Sequence, residues 1–203
     1  MALKYDTREV THGIERGFYA GIIQNEQGDY SFDKPKTFTG ARAANVETSQ
    51  ENTTYYADNQ THIVLSGAKT TTGSVTLYQI TKDFLVNHLG KEIDKNGALL
   101  DTGKYKNFVF GYVTLVDNEN GEQTEELHIF YNTKAAAYAK SASTDEDSVS
   151  PLELEIPLTM SPSQFVKNKE GKAVTDITLR KTKENAAIFA NIFDTVYVPQ
   201  FWG

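Results

Sequence analysis

Residues 107 to 117 read Asn-Phe-Val-Phe-Gly-Tyr-Val-Thr-Leu-Val-Asp, with apolar side chains at odd and even positions alike. An extended strand points successive side chains to opposite faces, so a run that is apolar on both belongs in the middle of a sheet. Asn118-Glu119-Asn120-Gly121 then supplies turn residues, and Glu126 to Thr133 resumes the strand pattern, giving the clearest hairpin in the chain.

The segments around this pair also read mainly as strands. Arg16 to Gln24 and Tyr30 to Phe32 flank the turn-rich residues 25 to 29, and Lys36 to Ala44 is a strand interrupted at Gly40. His62 to Leu65 and Ser74 to Ile80 alternate around Thr70-Thr71-Thr72-Gly73 and predict a second hairpin. Leu152 to Met160 alternates apolar and polar residues, and Pro157, which has no N–H to donate, predicts an edge strand or a bulge. Val174 to Leu179 gives one more strand. The period changes at Lys82 to Leu89, where Thr81 is an N-cap, Phe84, Leu85, His88 and Leu89 share a helical face, and Gly90 suits the position after the helix. Ala186, Phe189, Ala190 and Phe193 predict a second helix within Lys183 to Phe193.

Two polar stretches interrupt the pattern. Glu47 to Thr61 is nearly devoid of apolar residues apart from Tyr55, Tyr56 and Ala57, and is expected to be an excursion or an arm that orders on a partner. Lys140 to Ser150 has the acidic composition of a mobile loop. The whole chain, 1–203, is expected to form a single domain around these interruptions.

Composition removes several kinds of chemistry. The absence of cysteine excludes disulfides, thiolate metal sites and cysteine nucleophiles. The four histidines, His12, His62, His88 and His128, are too isolated to pair as ligands on one element, and no metal or cofactor is expected. Glu153 and Glu155 share one side of a strand but read as a solvated face, and Asp145-Glu146-Asp147 lacks the spacing of a calcium loop. With no phosphate loop, dinucleotide fingerprint or nucleophile elbow, no catalytic residue is assigned and no enzyme is expected. No stretch has the apolar length of a membrane helix, and the start MALKYDTREV shows no export signal. Twenty basic against 27 acidic residues leave a net charge of −7, which argues against gripping nucleic acid.

The order of several short runs carries a resemblance. Thr39-Gly40-Ala41-Arg42, Tyr55-Tyr56-Ala57-Asp58-Asn59, and Leu89-Gly90 with Asp94 to Gly97 behind it come first. Phe108-Val109-Phe110-Gly111-Tyr112, His128-Ile129-Phe130-Tyr131-Asn132 and Phe193-Asp194-Thr195-Val196-Tyr197-Val198-Pro199 follow. Together they resemble the major tail proteins, or tail tube proteins, of long, non-contractile-tailed bacteriophages. The resemblance implies a mainly β protein with a small α part: an antiparallel β-sandwich or barrel-like fold flanked by one α-helix, plus a short C-terminal helix. It implies hexameric rings stacked into a hollow tube, with a tape measure protein and a tail terminator as partners. It also implies a virion tail location after synthesis in the host cytoplasm, and no room for a further C-terminal domain after Gly203.

On that resemblance the polar arm reaches an adjacent ring, and Thr53, Thr54, Tyr55, Tyr56, Ala57, Asp58 and Asn59 are the expected interface residues. Aromatic anchors suit such a role because they bury much area at little rotamer cost. Six copies at −7 each carry −42 per ring, so a lumen lined by part of that charge would let DNA pass unbound during ejection. The alternative reading is a β-sandwich binding module for carbohydrate or host-receptor recognition, with the tyrosine loop as its ligand site.

Overall fold

The computed structural model describes residues 8–26, 30–139, 144 and 151–201. The chain begins with β1 (Glu9–Gln24), which β2 (Tyr30–Phe32) and β3 (Lys36–Thr37) flank in turn on one side. There follow β4 (Ala41–Ala57), β5 (Gln60–Leu77), α1 (Lys82–Asn87), β6 (Lys91–Ile93) and β7 (Leu99–Asp101). The second half holds β8 (Phe108–Asn118), β9 (Gln123–Ala135), β10 (Leu154–Met160), β11 (Ser163–Lys167), β12 (Ala173–Val174), β13 (Asp176–Arg180) and α2 (Ala186–Ala190). The main sheet runs β2-β1-β8-β9-β10-β5-β4 and its pairings are antiparallel. Along one side of β9, β13 occupies residues 126 to 130 and β10 takes over at 133 to 135, so the sheet divides there.

As its pattern requires, β8 lies between β1 and β9 with both faces covered. Phe108 and Val109 point to opposite sides and neither has any exposed surface. On one side Tyr19, Phe108, Phe110 and Phe130 pack with Val75, Leu77, Ile156 and Leu158 and with Phe84 and Leu89 at α1. On the other, Phe18, Val109, Val113, Leu127 and Ile129 pack against Phe189, Ile192 and Val196 of the C-terminal segment. Each large side chain buried in this way contributes about 1.5–3 kcal/mol. The result is the expected mainly β, antiparallel sandwich-like fold with two short helices.

The first helix starts as its sequence signals. Thr81 Oγ1 accepts a hydrogen bond from the Phe84 N–H at 3.3 Å, and Gly90, with φ +61°, carries the chain away in a conformation open to glycine. The C-terminal helix is shorter than Lys183 to Phe193 and holds only Ala186–Ala190.

Three expectations need correction. Residues 47–61 are not a loop: they are the outer end of β4, the turn Asp58-Asn59 and the start of β5. The two strands expected at His62 to Leu65 and Ser74 to Ile80 are one strand, with Thr70 to Gly73 running through its middle rather than turning. Pro157 sits on neither an edge strand nor a bulge, because β10 lies between β9 and β5. It is tolerated because its side of β10 faces the point where β9 ends at Ala135; its carbonyl accepts the Ala136 N–H at 2.9 Å, and no ladder donor is required beyond that. The acidic loop at 140–150 lies outside the described residues except for Thr144.

Candidate assembly surface

The feature that departs most from a closed sandwich is the hairpin of β4 and β5. Its root is held in the sheet, where residues 71 to 77 of β5 pair with β10 on one side and β4 on the other. At Gly73 the strands approach so closely that a Cβ would lie 2.2 Å from the Asn45 carbonyl oxygen. Among the described residues the only strand partner of β5 beyond Thr71 is β4, and the two run out as a two-stranded ribbon to Ala57 and Gln60. At about 3.4 Å per residue, this ribbon reaches roughly 40 Å from its root.

Local chemistry explains why a polar segment forms strands here. Threonine and tyrosine favour the extended conformation, the Thr48 and Thr71 hydroxyls are 3.1 Å apart across the ladder, and Gln50 Nε2 donates to the Gly67 carbonyl at 2.9 Å. Asp58 and Asn59 have φ of +51° and +60°, the geometry of a two-residue hairpin turn whose twist matches the strands. Asp and Asn tolerate this left-handed region better than other residues with a Cβ.

All seven residues singled out from the sequence lie together at the end of this arm, Thr53 to Ala57 on β4 and Asp58 and Asn59 in the turn. The structure adds a second set that sequence reading left out. Leu65 stands opposite Thr53, Val64 opposite Thr54, and Ile63 opposite Tyr55. Tyr55, Ile63, Val64 and Leu65 are about half exposed and Tyr56 is 73% exposed. The signal for the second set was the apolar run Ile63-Val64-Leu65, read instead as one strand of a second hairpin. Isolated two-stranded hairpins are marginal in water, and clustered exposed apolar side chains mark interaction surfaces. Among the described residues β4 also ends the sheet order, with no strand along its outer edge.

Three titratable groups are drawn into the packed interior. His88 is buried at the end of α1 beside a cavity of about 160 Å³, and burial pushes its pKa down to about 4. Nearby, the Tyr19 hydroxyl donates to Asp83 at 2.9 Å and Lys36 donates to the other Asp83 oxygen at 2.8 Å. Burial, with the Asp83 charge, pushes Tyr19 up to about 12. His128 lies between the hydroxyls of Thr114 and Thr178 at 3.2 and 3.3 Å, its pKa lowered by burial. Of the two glutamates on β10 and just before it, Glu153 is engaged by Arg42 and Glu155 stands opposite Thr76. Among the described residues no three His, Asp or Glu side chains gather as a metal site, and no helix is long and apolar enough to cross a membrane.

Fold and surface define an antiparallel β protein, covered on both faces of its central strands, that extends an uncovered two-stranded arm. A model of the phage tail tube protein family matches residues 1–200, and the chain belongs to that family. Among curated proteins it is similar to the tail tube proteins of Lactococcus phage p2 and Lactococcus phage SK1. Each is 26% identical over 200 residues, covering 94% of this chain and 66% of the relative. The chain thus spans just under two thirds of the length of these relatives.

Proposed function

We propose that the protein is a structural subunit of a phage tail tube. Identical copies close into six-membered rings, and the rings stack into a hollow conduit through which genome DNA passes into the host. The family match supports this reading, and the single observation that carries it is the β4–β5 arm with its exposed Tyr55, Tyr56, Ile63, Val64 and Leu65. Covering the exposed half of each side chain contributes about 1 kcal/mol, so one arm offers roughly 5 kcal/mol summed over its two faces, about 3 of it from the face of Tyr55, Ile63 and Leu65. Pairing along the free edge of β4 adds backbone hydrogen bonds and register.

The role is conduit rather than catalyst, located in the virion tail, and it assigns no cofactor. The tape measure protein and the tail terminator are the further partners it calls for. Six copies at −7 each give −42 per ring, which disfavours the counterion release that would hold a duplex in place.

Electron microscopy of the purified protein over a range of concentrations tests the reading. Rings at intermediate and striated tubes at high concentration are expected. A monodisperse monomer at every concentration, with binding to a glycan array, would replace it with the carbohydrate-binding module.

A further inference from the structure

At the end of the sheet away from the arm's turn, β1 runs past its neighbour. Gly21 opposite Phe108 is its last pair with β8, so among the described residues Ile22 to Gln24 have β2 alone beside them, with Gln24 opposite Tyr30. Beyond the start of β8 this overhang leaves a cleft of about 450 Å³ between the β1–β2 hairpin and β11.

The cleft is built from rings and amides. The Tyr30 ring lies face to face on the Phe165 ring, with 3.3 Å between centroids and 24° between planes, yet Tyr30 stays 38% exposed. Asn107 Nδ2 donates to Asn132 Oδ1 at 2.7 Å, and Asn132 Nδ2 donates to the Pro162 carbonyl at 3.4 Å. These bonds orient both amides, and each keeps a further N–H to offer. Gln24 and Gln164 line the same cleft and hold no side-chain hydrogen bond among the described residues.

Charge and shape select among ligands. Lys106 is the one charged side chain in the lining, and no carboxylate faces it there. A nucleotide or an acidic peptide would call for several cations, and an apolar peptide would bury the amides without partners, at a cost for each. An amide presents donor and acceptor side by side, the complement of neighbouring hydroxyls, while an aromatic face covers the C–H side of the same ring. The volume falls within the roughly 300–1,000 Å³ of small-molecule sites, which join apolar walls to a few placed polar groups.

We infer that this cleft binds a neutral sugar, its ring against Tyr30 and its hydroxyls on the amides of Gln24, Asn107, Asn132 and Gln164. The site needs only one copy of the chain, so it stands or falls apart from the tail tube reading.

Saturation-transfer NMR of the dilute full chain tests the inference, with methyl α-glucoside, methyl β-galactoside and N-acetylglucosamine as sugars and adenosine as the competing class. At least one sugar is expected to bind with a dissociation constant of about 1 mM. Tyr30→Ala and Gln164→Ala are each expected to weaken it about tenfold. Gln164 is exposed on β11, so its variant is expected to keep an unchanged thermal midpoint. Replacing Tyr55 and Tyr56 together by Ala is expected to change sugar binding by less than about twofold, because the arm is a distant, independent site. Silence from every sugar at about 20 mM, adenosine binding in their place, or a sugar signal that survives Tyr30→Ala and Gln164→Ala overturns the inference. Tubes that form without sugar binding overturn it while leaving the tail tube reading intact.

Discussion

The ring tip of Phe18 reaches over Gly111, its opposite number on the neighbouring strand, so close that a Cβ on Gly111 would sit 2.2 Å from the Phe18 Cζ. Phe18 is fully buried on the face covered by the C-terminal segment. Gly111→Ala therefore overpacks the centre of the sheet and is expected to lower stability by about 1–3 kcal/mol, read from the denaturant midpoint. Adding Phe18→Leu frees the space, and the double variant is expected to lose less than the sum of the two single losses. Strict additivity would contradict the contact.

Acid is expected to weaken the fold through His88. Its folded pKa of about 4 lies below its ordinary 6.5, chiefly because it is buried, with Asp83 and Asp33 opposing and Lys106 and Lys36 reinforcing the shift. The unfolded chain takes up a proton that the folded one refuses, so this contribution is complete above pH 6.5 and is lost as pH falls toward 4. The loss is roughly 3 kcal/mol. His128, also lowered by burial, acts with the same sign. His88→Gln is expected to flatten the stability profile between pH 4 and 6.5 without abolishing its slope; an unchanged profile would contradict the assignment.

The sheet centre was legible because burial on both faces leaves a compositional mark, as in Phe108 to Val116, and so was the helix, through Thr81 and Gly90. The arm was not. Sequence patterns report a strand by the contrast between a dry face and a wet one, and a ribbon with no core beneath it has no such contrast. Its threonines and tyrosines were the remaining signal, and the tight turn rests on Asp58 and Asn59 rather than on glycine. Pro157 misled for a related reason: its missing donor excludes a ladder only on the side it faces, and where β9 ends is a tertiary fact.

The arm turn can be tested apart from the core. Asn59→Gly fits the left-handed geometry and is expected to leave the arm intact, whereas Asn59→Val places a β-branched side chain there at a cost of about 1–2 kcal/mol. Because the turn lies far outside the core, amide exchange near Gln50 to Ser66 is expected to accelerate in Asn59→Val while the global unfolding midpoint stays fixed. A lowered midpoint would mean the ribbon is part of the cooperative core.

Deleting Thr53 to Asn59 removes the exposed tyrosines and the turn but leaves the root pairs around Gly73. The shortened protein is expected to fold with an unchanged circular dichroism melt and to remain monomeric at concentrations where the full chain polymerises. Normal tubes from it would remove the arm from the assembly surface.

The most direct measurement compares amide hydrogen exchange of residues 47 to 70 in dilute and in assembled protein. A ribbon completed by neighbouring copies is predicted to exchange quickly when dilute and roughly a hundredfold more slowly once assembled, equivalent to about 3 kcal/mol of added local stability. Equal exchange in the two states, with tubes visible in the same sample, would contradict the claim that identical copies complete the arm.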